Sequence, residues 1–219
     1  MGDEGRGMAA LKALGARSVP VVSRGDKFVF AQVIKDVVDF LGLDEETGPV
    51  LSPVQLAERY KEVLLRAVSL VAQMPDECLV RELPNRPRSW LVLLHHVFQI
   101  PKSFIDSQDS GVVMSYEEMV GAPPADLVSS ADIAAFGETV RARFTSWWEA
   151  NKDADFSQEI EVYFGKTSRH EMLERMVWHS TQHARQVASL LEQAGVTPAQ
   201  PFSAAHIAGL PLTEKIWDE

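Results

Sequence analysis

Cysteine is almost absent from this chain. A single residue, Cys78, stands among 219 positions, so no internal disulfide can form and no cluster of thiolates can hold a metal. That scarcity fits a reducing compartment, and no signal-peptide pattern opens the chain. Together they predict a cytoplasmic protein. Positive charge is scarce as well: 21 Lys and Arg against 31 Asp and Glu leave a formal net charge of −10. Phosphate backbones are bound by clustered cations, so the balance argues against a nucleic-acid partner. Long apolar runs are missing too. The most apolar stretch, Trp90 to Ile100, is interrupted by His95 and His96 and falls far short of the roughly 20 residues that span a bilayer. No membrane partner is expected. The glycines form neither a phosphate-binding loop nor a dinucleotide fingerprint, and no G-x-S-x-G elbow supports a serine nucleophile.

What is present is ample apolar material, 46% of residues, beside an ordinary 24% of charged ones. The run from Gly42 through Gly48-Pro49 reads as a polar linker. It divides a short segment, residues 1–45, from a long one, residues 52–219. The short segment reads as a helix around residues 7–14, an apolar strand from Ser18 to Ser23, a turn at Arg24-Gly25-Asp26, a second strand over Lys27–Phe30 and an amphipathic helix from Gln32 to Leu41. Two such strands cannot bury a core of their own, so this segment must pack on the remainder or on another subunit.

Beyond the linker the period turns helical. Ser52-Pro53 is a cap with proline at the first helical position. Leu56, Tyr60, Val63, Leu64, Ala67, Leu70, Val71 and Met74 then recur with helical spacing. A second helix spans about Ser89–Ser107, with Pro101 as a potential kink. Residues 108–129 read as a long crossover with a short helix near Tyr116–Val120. A third helix carries Ile133, Phe136, Val140, Phe144 and Trp147, and Glu159–Gly165 alternates like a strand. The fourth helix opens on the capping box Ser168-Arg169-His170-Glu171 and ends near Gly195. The pattern predicts a mainly α protein: a four-helix bundle with one long crossover, preceded by a small α/β segment.

Three histidines carry the chemistry. His179 and His183 stand four residues apart in the fourth helix, which puts both imidazoles on one face, one turn apart. They share a stripe with Met172, Met176 and Leu190, whereas Glu174, Trp178, Thr181, Arg185 and Glu192 mark the opposite side. In the second helix Gln99, Lys102 and Asp106 mark a wet side that includes His95. His96, about 100° further round, looks inward beside Leu93 and Ile100. Each buried neutral imidazole carries a donor and an acceptor that need partners, and one ion satisfies several acceptors at once. Three imidazoles suit zinc, nickel or ferrous iron and leave positions open for water or substrate. A core of hydrogen-bonded histidines is the alternative reading. Gln186, on the border of the same face, is placed either to orient a histidine or as a plain surface residue. Other metal motifs fail: His170-Glu171 is followed by Glu174 where a zinc protease needs a second histidine, and no Glu-x-x-His pair exists for a di-iron bundle.

At these residues the chain resembles the DinB-like superfamily of metal-binding bundles. The likeness covers about residues 52–219. It rests on Leu93-Leu94-His95-His96-Val97 and on His179-Ser180-Thr181-Gln182-His183-Ala184-Arg185-Gln186 ahead of Gly195. The resemblance implies a divalent ion, most often zinc or nickel, held by His96, His179 and His183. It also implies a thiol-dependent S-transferase or isomerase that takes a small-molecule substrate and a low-molecular-weight thiol such as glutathione, often as a homodimer. A non-catalytic metal-stabilised module and a metal-dependent hydrolase are the rival expectations. The first segment resembles the second half of a glutaredoxin or thioredoxin fold, with Val19-Pro20 at its cis-proline corner. The redox cysteines of that fold are missing, which argues against oxidoreductase activity.

Overall fold

Ser52 accepts a hydrogen bond from the amide of Gln55, whose side chain answers to the Ser52 amide, and Pro53 fills the first helical position. That reciprocal cap starts α2 at Pro53, and the helix runs to Ala72. The structure, a computed structural model, describes residues 11–16, 21–31, 33–45, 47–83 and 86–217. Two compact units divide it, Met1–Gly48 and Pro49–Glu219.

In the first unit residues 11–14 are helical. Strands β1 (Val21–Arg24) and β2 (Lys27–Phe30) pair antiparallel around Gly25, whose φ of 66° suits the tight turn. Helix α1 (Ile34–Leu41) follows and ends on Gly42 in the left-handed conformation. None of the described residues of this unit is fully buried. The expected cis-proline corner at Val19-Pro20 lies outside the described residues.

The second unit is mainly helical. After α2 come a 3₁₀ turn (Asp76–Cys78) and a small hairpin of β3 (Glu82–Leu83) and β4 (Arg86–Ser89). Helix α3 (Trp90–Ser110), capped by Ser89, continues through Pro101. The crossover holds the short α4 (Tyr116–Met119). It leads to α5 (Ser130–Asn151), a second hairpin of β5 (Glu159–Val162) and β6 (Gly165–Ser168), α6 (Arg169–Gln193) and the short α7 (Ala204–Ile207). The extended stretch read over Glu159–Gly165 is thus a strand that stops at Val162, with Tyr163 and Phe164 forming the two-residue turn.

Helices α2 and α3 each pack against both α5 and α6, which makes the four long helices a bundle with α2 and α3 as one diagonal. Its core includes Leu56, Tyr60, Leu64, Phe98, Phe104, Phe144, Leu173 and Leu190. Gly137 is required where α5 crosses α3, because a Cβ there would stand 2.5 Å from the Phe98 ring. Among the described residues no helix is long and apolar enough to cross a membrane.

Two sequence expectations fail here for one reason. His95, assigned to a wet side, is 2% exposed, and Thr181, assigned to the outer side of its helix, is fully buried. Helices α3 and α6 are each covered by two neighbours, so their buried arcs are wider than a single-face pattern allows.

Candidate metal centre

The spacing between α3 and α6 is held by a device that begins with a missing proton. Pro101 has no amide hydrogen, so the carbonyl of Val97, four residues earlier, loses its helical donor. The Ser180 hydroxyl, from α6, donates to that carbonyl at 3.1 Å. Because a carbonyl only accepts, the Ser180 proton is committed, and Tyr60 of α2 must donate to Ser180 Oγ at 2.8 Å. Both bonds are buried, and burial pushes the Tyr60 hydroxyl well above its ordinary range, so it stays a proton donor. Val97 adjoins His96 and Ser180 adjoins His179. The chain thus locks its two histidine-bearing helices together next to the histidines themselves.

The three rings meet there. One nitrogen from each of His96, His179 and His183 lies within 4.8 Å of the others. Ring centroids are separated by 5.5 Å for His96–His179, 5.0 Å for His96–His183 and 4.9 Å for His179–His183. His96 is buried and the other two are half-buried. Tetrahedral zinc, with nitrogens about 2.0–2.1 Å away, would need donors about 3.4 Å apart, a modest tightening of this cluster. Among the described residues no carboxylate or thiolate joins the three.

Protonation suits ligation. Burial, with the neighbouring His183 and Arg88, pushes His96 down to about 3. Burial, with His183, His96, Arg175 and Arg88, holds His179 well below the ordinary imidazole range. Both rings are neutral at pH 7 and keep a lone pair. The lone pairs are also directed. Gln186 Nε2 donates to the carbonyl of Ile216 at 3.0 Å, which turns its Oε1 toward His183 Nδ1 at 2.7 Å. An amide oxygen only accepts, so His183 carries its proton on Nδ1 and leaves Nε2 as the donor atom. The backbone of Met119 also acts on His96 and raises its basicity against the effect of burial. These are the outer contacts that orient metal-bound imidazoles in general.

Gln186, open between two roles in the sequence, is 9% exposed and contacts a ring of the cluster. Arg185, read as a polar outer residue, donates to the carbonyls of Thr213 and Glu214 and pins the tail along α6. Gln182 adds a bond to Ile216. The sequence reading missed Arg88 and Arg175, the two cations that bear on the cluster. A signal for Arg175 was available: it stands four residues before His179, on the same stripe. Nothing in the sequence pointed to Arg88, which rides on the unexpected β3–β4 hairpin.

A family model described as the DinB family matches residues 51–204. The match spans most of the chain, and the protein belongs to that family. No curated protein matches it. The cluster lies wholly inside the matched region, whereas the Ile216 carbonyl that fixes Gln186 lies beyond it.

Proposed function

From this family membership and the convergence of three imidazoles, we propose that the protein binds one divalent ion, zinc or nickel, through His96, His179 and His183. With it the protein activates a small thiol of the glutathione type for transfer to, or isomerisation of, a small electrophile. The observation that carries the proposal is the donor set: three imidazole nitrogens from two packed helices, with no carboxylate or thiolate joining them among the described residues. Three ligands leave coordination positions for an incoming molecule, unlike the closed four-ligand sets of structural zinc.

A divalent ion at this position lowers the pKa of a thiol or water bound to it and so supplies a nucleophile at neutral pH. The chain's own residues do the positioning. Gln186 holds the His183 ring by its Nδ1, and the Tyr60–Ser180–Val97 bonds hold the helix spacing.

Elemental analysis of the purified protein is expected to find about one divalent ion per chain, and His183→Ala to lose it. The loaded protein is expected to consume glutathione with an epoxide or a haloaromatic. Inertness toward every common thiol overturns the transferase reading and leaves a metal-stabilised module. Turnover that ignores the thiol identifies a hydrolase instead.

A further inference from the structure

The stretch 213–217 has no regular secondary structure of its own, and α6 grips it largely by its backbone. Arg185 donates to the carbonyls of Thr213 and Glu214 at 2.9 and 3.1 Å, and Gln182 to those of Lys215 and Ile216 at 3.3 and 2.9 Å. Gln186 reaches the Ile216 carbonyl at 3.0 Å, and the Trp217 indole donates to Ser189 Oγ at 3.2 Å. Residues 182, 185, 186 and 189 share one face of the helix, at the spacing that lets successive turns hold one segment. Leu212 and Trp217 pack against the core and anchor the two ends of the stretch.

Among these bonds, the one from Gln186 continues to the three-histidine cluster. The side chain bridges the Ile216 carbonyl and His183 Nδ1, with Oε1 2.7 Å from the ring nitrogen. For His183 by itself the amide has two workable orientations. With Oε1 toward the ring it accepts a proton from Nδ1; with Nε2 toward the ring it donates to Nδ1, and the imidazole proton must then sit on the ring's Nε2. For Ile216 there is only one, because a carbonyl cannot donate and would meet Oε1 as a second acceptor. Gln186 is 9% exposed, so water is poorly placed to repair that mismatch, and a buried acceptor left without a donor is costly. Arg185 also donates to Oε1 of Gln182 at 2.8 Å, which commits the Gln182 amide protons to the tail carbonyls. The Ile216 carbonyl is thus held in place independently of Gln186.

We propose that the stretch 213–217 is a positioning element of the metal centre: the Ile216 carbonyl selects which end of the Gln186 amide meets His183 and thereby keeps the imidazole proton on Nδ1. The ring's Nε2 then carries the lone pair that ligation requires. What concerns the ion rests on the metal reading above; the tautomer does not. Ile216 lies outside residues 51–204, so the device reaches beyond the region matched by the family model.

The test loosens the stretch on the full chain in two ways: Arg185→Met with Gln182→Met, which removes donors on α6, and Trp217→Ala, which leaves the α6 side chains intact. Long-range proton–nitrogen correlation spectra of the imidazoles in metal-free protein at pH 7.5 read the His183 tautomer, its signals being assigned with His183→Ala. Competition with a chromophoric chelator reads zinc affinity. The parent is expected to show His183 protonated on Nδ1. Either loosened variant is expected to show protonation on Nε2 as well, and to bind zinc about tenfold more weakly, the lower end of what outer contacts to ligating histidines are worth. In a Gln186→Glu background the same substitutions are expected to change neither readout, because a carboxylate presents an acceptor to Nδ1 whichever way it turns. Should the double variant fail to fold, Trp217→Ala carries the same comparison. An unshifted tautomer in both loosened variants overturns the proposal. So does an equal loss of zinc with and without Gln186→Glu, which would mean that the stretch acts on stability alone. A protein that takes up no zinc but whose tautomer follows the stretch overturns the metal reading and supports this one. Zinc uptake with a tautomer indifferent to the stretch does the reverse.

Discussion

The two sides of α3 put the same chemical group in opposite circumstances. His95 and His96 are neighbours in sequence and nearly equally buried, at 2% and 5% exposure. The His96 ring faces α6, where two more imidazoles await it. The His95 ring faces α5 and stacks on Phe136 at 5.0 Å, and neither of its nitrogens has a hydrogen-bond partner among the described residues. Burial of an imidazole is costly on both sides. On one side the lone pairs are gathered with others of their kind; on the other the ring lies flat against a phenyl face. The facing helix, not the residue or its burial, decides what a buried histidine can do.

The largest effect that tests this contrast is a pair of substitutions. His96→Leu is expected to weaken zinc binding by about a hundredfold to a thousandfold, since one ligand of a zinc site is worth about 2.5–4 kcal/mol. His95→Leu is expected to leave zinc affinity unchanged. Competition with a chromophoric chelator reads both. Loss of zinc from the His95 variant alone would move the site to the wrong side of the helix.

The contrast also marks what could be read from the chain alone. The serine caps at Ser52 and Ser168 and the apolar periods behind them reveal α2 and α6, because capping and burial leave local signatures. The four-residue interval of His179 and His183 is equally local. The wet side assigned to His95 was misplaced, because Gln99 and Lys102 are half-buried rather than solvated. Their long stems reach outward from a helix buried on most of its circumference. The β3–β4 hairpin left no period to detect, its first strand being two residues long. The Ser180–Val97 bond and the docking of Ile216 on Gln186 pair residues 83 and 30 positions apart. Such pairings exist only once the bundle has formed. Pro101 was the one visible trace of the first: a proline inside a helix announces a carbonyl in need of a donor.

Acid sharpens the comparison at a smaller scale. Burial depresses His96 to about 3 and His95 to about 4, against an ordinary 6.5. For each ring the folded value lies below the unfolded one, so its linkage is silent above pH 6.5. Stability then falls as pH drops from 6.5 toward the folded value, because only the unfolded chain takes up the proton. Each ring contributes a slope of about 1.4 kcal/mol per pH unit. Urea unfolding of metal-free protein between pH 6.5 and 5 is expected to show that slope, and His95→Leu to remove one ring's share of it. An unchanged slope in the variant would mean that His95 is protonated, or solvated, in the folded state.

The smallest effect is the most direct probe of His95. At pH 7.5, where protonation plays no part, the ring still holds two buried nitrogens with no hydrogen-bond partner among the described residues. Each unsatisfied buried polar atom costs about 1–3 kcal/mol, whereas an apolar side chain of similar size incurs no such cost. Against this gain stands the stacking on Phe136, which leucine gives up and which is worth about 0.5–1.5 kcal/mol. Metal-free His95→Leu is therefore expected to be more stable than the parent by about 1 kcal/mol, raising Tm by about 2–4 °C in a chain of this size. His95→Gln keeps polar atoms at the same position and is expected to gain nothing. If leucine instead lowers Tm while glutamine does not, the pocket between α3 and α5 supplies a polar partner to position 95, and the two sides of the helix are more alike than their geometry indicates.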